Sequence, residues 1–197
     1  IEVGASGGLN LHVDRFRYDG PGWSWGPPDS PLVLHTQAPG VTPRAFEIVE
    51  RLECDVAPVD AASHEGALHL RSFVWPWQLE RHERLTGALA VAAAYPVVVE
   101  RAGAGEFLQR VLADPPADGV LTVVWQSITR MYWPATESAR VAALIEGARS
   151  RMPLAHVSME HADATDAADA ELAVDGRVLG VVHPHGIPLW VRPGTHA

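Results

Sequence analysis

The chain of 197 residues holds a single cysteine, Cys54. No disulfide can form within it, and nothing in its cysteine usage marks an oxidising compartment. The lone thiol reads as a buried small hydrophobe. No apolar run approaches the roughly 20 residues that span a bilayer, and no signal peptide is visible. Cationic side chains are also short: 15 Lys and Arg stand against 24 Asp and Glu, a net charge of −9. Such a surface repels a phosphate backbone. These shortages exclude nucleic acid and membrane as expected partners. They leave a cytoplasmic protein whose partner is a small-molecule ligand and whose oligomeric state is open. With 47% apolar and 20% charged residues, the composition is that of a folded globular chain with a sizeable core.

The hydrophobic pattern alternates strands with helices. Residues 1–3 read as a strand and 8–16 as a helix with Leu9, Val13 and Phe16 on its buried face. A central strand of three residues is short against the usual five or six, so upstream sequence is expected to be missing from this chain. Residues 17–31 carry five glycines or prolines before position 28, which argues against regular structure and for a packed loop held by Trp23 and Trp25. This Trp/Pro/Gly-rich stretch, 17–43, reads as an insertion in a single domain spanning 1–197. Leu32–His35 reads as a short strand. Residues 44–60 are open between a helix, Arg44–Leu52, and a strand, Phe46–Leu52, that delivers Asp55 to a loop. Trp77–Ala94 is a helix with Leu79, Leu85, Leu89 and Ala92 inward, stopped by Pro96. Val97–Val99 reads as a buried strand, Gly105–Leu112 as a helix, and 115–119 as a turn. Val120–Trp125 is an apolar strand of the kind a parallel sheet buries on both faces. Pro134–Arg151 is a helix, Leu154–Met159 a strand, and His161–Ala170 an exposed loop. Glu171–Val174, Val178–His183 and Pro188–Val191 read as terminal strands, with Asp175-Gly176 as a hairpin turn. The expected fold is α/β: a mostly parallel Rossmann-like sheet with helices on both faces and a C-terminal antiparallel hairpin. Ligands of such sheets bind beyond the carboxyl ends of the strands, where strand order switches.

The residues that bear on chemistry begin in the first turn. Gly4-Ala5-Ser6-Gly7-Gly8-Leu9 lacks the register of a dinucleotide fingerprint, and no P-loop is present. It has instead an acid two residues before its first glycine: Glu2, Gly4, Ser6, Gly8. This resembles motif I of class I S-adenosylmethionine-dependent methyltransferases, with serine for the middle glycine. The resemblance implies a loop against the methionine part of S-adenosylmethionine and a carboxylate near its ammonium. The alternative is a tight strand-to-helix turn without a ligand. Asp55 and Asp60 are candidates for the ribose hydroxyls, some fifty residues after Gly4 where about 20 is usual; each reads equally as a loop cap. Where the superfamily often has an acid near the adenine, this chain has Gly103. After the clearest strand, Gln126 and Ser127 are candidates to orient substrate, with Tyr132 and Trp133 as pocket walls. No G-x-S-x-G elbow marks a serine nucleophile. Asp14 is a further candidate on the substrate side, and His12, His185 or Asp14 a candidate base; none of these is placed well enough to name a catalytic residue. His183 and His185 have no acidic or cysteine neighbours at ligand spacing, so no metal is expected.

Almost end to end, the chain resembles a bacterial family, domain of unknown function 2332. The resemblance rests on Glu2 to Leu11, Asp14–Tyr18, Ser30-Pro31, Asp55–Asp60, Val74-Trp75-Pro76 with Glu80-Arg81, and His185-Gly186. It implies a methyltransferase-like fold and that the missing upstream segment is helical, but carries no reaction with it. The readings that remain are a methyltransferase acting on a small molecule, and a non-catalytic binding or scaffold module on the same fold.

Overall fold

A computed structural model describes residues 1–36, 41–161, 169–183, 185 and 189–191. The chain divides into two compact units. One comprises Ile1–Gly4, Cys54–Val56 and Arg101–Ala197; the other comprises Ala5–Glu53 and Ala57–Glu100.

The fold is α/β with a mostly parallel sheet that turns antiparallel at its C-terminal strands. Its strands are β1 (Glu2–Val3), β5 (Glu53–Asp55), β6 (Glu100–Arg101), β7 (Thr122–Ser127), β8 (Leu154–Glu160), β9 (Ala170–Val174), β10 (Arg177–Val182) and β11 (Leu189–Val191). Their order is β11-β10-β9-β8-β7-β1-β5-β6. Strands β1, β7 and β8 are parallel, with Val3 opposite Gln126 and Ser127 opposite Met159. From β8 to β11 the pairing is antiparallel. The chain leaves β1 for a neighbour on one side and returns as β7 on the other, so strand order switches at β1.

In the first unit, helices α3 (Ala104–Val111) and α4 (Ala135–Arg149) pack together. Helix α4 buries Val141, Ile145 and Ala148, one stripe at helical spacing. Phe107, Leu108 and Val124 are fully buried, and Met159, Ala170 and Val182 form a cluster across the antiparallel strands. The β9–β10 hairpin turns on Asp175 and Gly176, at φ 54° and 77°, as the dipeptide predicts.

The second unit differs from expectation in several places. Residues 26–31 hold no helix or strand, but 17–25 are not irregular. They form β2 (Arg17–Gly20) and β3 (Trp23–Trp25), an antiparallel hairpin that β4 (Val33–His35) joins in parallel. The glycines punctuate these strands rather than forbid them: Gly22 and Gly26 adopt φ 78° and 90° beyond the strand ends. Residues 44–52 are neither helix nor strand; Phe46 stacks on Trp25 with ring centroids 5.0 Å apart. Val97–Val99 is not a buried strand, since Val98 is 90% exposed and the strand comes later, at β6. Helix α1 (His64–Ser72) has no counterpart in the sequence reading, although Ser63 caps it by accepting from Gly66 N at 2.9 Å. Helix α2 (Leu79–Ala94) buries Ala88, Leu89, Val91 and Ala92, but Leu79 points out. The first helix is a 3-10 segment, Leu9–Arg15, broken at His12 (φ −90°, ψ 20°). The break and the tighter period rotate His12 inward and leave Val13 exposed. Phe16, Leu32, Ala88 and Val91 form one cluster here, and Ala61, Leu89 and Ala92 another.

The predicted loop 161–170 lies mostly outside the described residues, as do Pro184, Gly186 and Pro188. Leu108→Ala leaves a cavity under α3 and is expected to cost about 2–5 kcal/mol, measured as a lower midpoint in urea unfolding.

Candidate functional site

In the first unit, β1 runs into Gly4 at φ 74°. Val3 is fully buried and Glu2 nearly so, at 2% exposure. Gly4 N donates to Cys54 O at 2.9 Å. A Cβ placed on Gly4 would lie 2.7 Å from the Thr129 Cβ and closer still to its hydroxyl. Glycine is required here by a positive φ and by a close approach, and what approaches is a side chain of the protein itself.

Thr129 is held in place by a buried polar network. Glu160, at the end of β8, accepts three hydrogen bonds on Oε1: from Gln126 Nε2 (2.9 Å), Thr129 N (3.2 Å) and Arg130 N (3.1 Å). Gln126 and Glu160 are 3% and 5% exposed. Gln126 Oε1 accepts from His156 Nε2 at 3.1 Å, so His156 carries its proton on that nitrogen. Burial, and then the charge of Arg149, lower the His156 pKa. Ile128 takes φ 48° to bring the turn back over the strand end, and its N–H donates to Met159 O at 2.8 Å. Gln126 therefore stands at the carboxyl edge as expected, but both ends of its amide are engaged inside the protein. Ser127 is half-buried and Tyr132 is 75% exposed. Asp55 ends β5, and its carbonyl accepts from Ala102 N at 3.1 Å.

Gly103 begins α3. Glu137, from the first turn of α4, accepts from Gly105 N at 2.7 Å. An acid thus does complement the N-terminus of α3, supplied from a helix 32 residues away in sequence. Glu137 and Glu160 escape a reading by local motif. The available signal for Glu160 was an acid directly after an apolar strand.

The rest of the glycine turn belongs to the second unit. Ser6 is exposed at φ 53°, and its carbonyl accepts from Val59 N at 3.0 Å. A Cβ on Gly7 would lie 2.9 Å from Leu70 Cδ1. One on Gly8, at φ 67°, would lie 2.8 Å from Glu53 Oε2 and 3.0 Å from Val97 Cγ2. Glu53, which sequence reasoning passed over for Asp55 and Asp60, is 4% exposed. Asp60 serves the turn before α1: Oδ1 accepts from Ala62 N (3.1 Å), and its carbonyl accepts from Ser63 Oγ (2.8 Å).

Asp14 pairs with Arg51, whose Nη2 lies 2.6 Å from both carboxylate oxygens and whose Nε donates to Leu11 O at 2.9 Å. Arg15 stacks 4.3 Å over the Tyr95 ring. Burial, and then the Asp14 charge, push the Tyr18 hydroxyl well above its ordinary pKa. His12 is 1% exposed, and its Nε2 has no hydrogen-bond partner among the described residues. Burial, and next the Arg51 charge, lower its pKa. His185 N donates to His183 Nδ1 at 3.2 Å. Among the described residues no group of three or more His, Cys, Asp or Glu is arranged to hold a metal, and no helix is long and apolar enough to cross a membrane.

A sheet whose order switches at β1, with a glycine turn after that strand and polar side chains on the adjacent strand ends, defines a Rossmann-like α/β protein. The chain belongs to the family described as uncharacterized protein conserved in bacteria (DUF2332), whose model matches residues 1–190. No curated protein and no solved structure matches it.

Two tests follow from these networks. His12 binds a proton more readily when the chain is unfolded. Its contribution to stability is therefore complete above the ordinary histidine pKa of about 6.5 and is lost as pH falls through the window below it. His12→Phe should flatten that part of the stability–pH curve, read by chemical denaturation between pH 7 and 5. Glu160→Ala leaves buried donors unsatisfied at about 1–3 kcal/mol each. It should lower the unfolding midpoint and speed amide exchange at Thr129 and Arg130; unchanged exchange would separate Glu160 from the turn.

Proposed function

We propose that this chain acts as a small-molecule-binding or scaffold module on a Rossmann-like sheet, with its glycine turn used as a structural joint. The observation that carries this reading is the occupation of Gly4 by Thr129, itself pinned through the backbone by Glu160. A cofactor loop uses glycine so that a ligand can come close to the backbone; here the protein's own side chain occupies that approach. Two further positions agree. Gly8 is met by Glu53, and the N-terminus of α3 is met by Glu137. A cytoplasmic location, a small-molecule partner and no nucleic acid belong to the same proposal, on the net charge of −9 and the single cysteine.

One observation favours a second reading, a methyltransferase using S-adenosylmethionine. Glu2 is a buried carboxylate two residues before the turn, on the strand where the sheet order switches. In that reading Glu2 and Gly4 would meet the methionine end of the cofactor, and Gln126 and Ser127 would face the substrate.

Thermal unfolding with S-adenosylmethionine and S-adenosylhomocysteine separates the two. A ligand at a hundred times its dissociation constant adds about 2.7 kcal/mol. We expect neither compound to raise Tm. A saturable rise that Glu2→Gln abolishes would replace the first reading by the second. Gly4→Ala should destabilise the protein without any ligand, by about 1–3 kcal/mol from overpacking alone; a neutral effect would mean that Thr129 does not fill the approach.

A further inference from the structure

The second unit carries an exposed aromatic surface that the glycine turn does not account for. Between α1 and α2 the chain reads Phe73-Val74-Trp75-Pro76-Trp77-Gln78. Phe73, Trp75, Trp77 and Leu79 are 64%, 61%, 72% and 67% exposed. Isolated surface apolar residues are ordinary, but large side chains grouped on one short segment mark a binding surface. Trp75 and Trp77 stack on each other, with ring centroids 5.1 Å apart and planes 15° from parallel.

The tryptophans sit on a braced turn. Gln78 N donates to Trp75 O at 2.9 Å, and Gln78 Oε1 accepts from Trp75 N (3.3 Å) and Arg81 Nη1 (2.6 Å). Pro76 fixes one backbone angle between them. Ordering these rings on binding therefore costs little conformational entropy. Beside them lies an open groove of about 890 Å³, walled by Phe73, Trp75, Pro76 and Leu79 and edged by Arg71 and His82. That volume falls in the range of small-molecule pockets. Among the described residues no carboxylate lines it, in a chain with nine more acidic than basic side chains. Arg71 is oriented by one bond, Nη1 to Thr86 Oγ1 at 3.0 Å, and Thr86 Oγ1 donates in turn to His82 O at 2.7 Å. A guanidinium held this way presents its other donors as a planar fork suited to carboxylate, sulfonate or phosphate.

We propose that this groove binds a planar organic anion, its ring system against Trp75 and Phe73 and its acid group on Arg71. The site lies within the second unit and does not depend on whether the glycine turn takes a ligand. Its recognition elements are those that dominate interface energetics elsewhere, tryptophan and arginine.

Two dyes that share a ring skeleton test both halves of the proposal: 8-anilinonaphthalene-1-sulfonate, an anion, and N-phenyl-1-naphthylamine, which is uncharged. Fluorescence titrations are made well below Tm. The sulfonate should bind saturably at one site per chain and more tightly than the neutral dye. Arg71→Gln should weaken the sulfonate about tenfold, the loss of one charged hydrogen bond, and leave the neutral dye unchanged. Trp75→Leu and Trp77→Leu should weaken both dyes. These side chains are mostly exposed, so the variants should keep the wild-type Tm; if one does not, Arg71→Gln still decides the case. Equal affinity for the two dyes, or sulfonate binding indifferent to Arg71, would overturn the anion site. Dye binding indifferent to both tryptophan variants would place it elsewhere. Self-association that Trp75→Leu abolishes and the dyes do not inhibit would make the surface an interface between copies instead.

Discussion

The carboxyl edge of the parallel strands in the first unit depends on one oxygen. Glu160 Oε1 gathers the Gln126 amide and the backbone N–H groups of Thr129 and Arg130. A carboxylate in such surroundings is tolerable because charged acceptors form the stronger hydrogen bonds and because its donors would otherwise be buried unmade. The geometry of the turn after β7 follows from it: Ile128 accepts a left-handed backbone, and Thr129 closes over Gly4. An ordinary residue at position 4 would meet both a strained φ and the Thr129 side chain. The glycine there is thus explained by packing, whatever the turn binds.

The second unit solves a similar problem with different groups. The short 3-10 segment leaves carbonyls unused, and Arg51 takes up one of them at Leu11 while pairing with Asp14. That pair is about four-fifths buried on both sides, where truncating one partner costs more than the pair contributes. His12 lies beside this charge, fully buried, and burial favours its neutral form. Asp14 and His12, residues that look like an acid and a base when read along the chain, are in the folded unit parts of one structural joint.

Much of the architecture was legible. The alternation of strands and helices, the Asp175-Gly176 hairpin and helix α3 all follow from periodicity and turn chemistry, which are local properties. Misreadings cluster where local signals conflict. Gly20, Pro21 and Gly22 look like a broken loop, yet a hairpin needs such residues at its turn and β2 needs only four residues beside them. Val97–Val99 has strand propensity but leaves Val98 exposed, and propensity without packing does not make a strand. Ser63 and Glu65 announced α1 as a cap and a first-turn acid, but the helix lacks a clear apolar stripe. Of the candidate site, Glu2, Gly4, Asp55 and Gln126 do reach the strand ends expected of them. Gln126, Asp14 and Asp60 prove to be engaged by the protein itself, which spacing has no means of showing.

By itself the sequence determined the class of fold, the place of the glycine turn and, with one cysteine, that no disulfide forms within the chain. These depend on residues close together in the chain or on composition. What meets each glycine was decided only by tertiary structure. Thr129 over Gly4, Glu53 over Gly8 and Glu137 at the start of α3 come from segments 32 to 125 residues away, brought in by sheet order and helix packing. A glycine turn looks the same in sequence whether a cofactor or a side chain fills the space above it, because the need for a small residue records the closeness of a neighbour and not its identity.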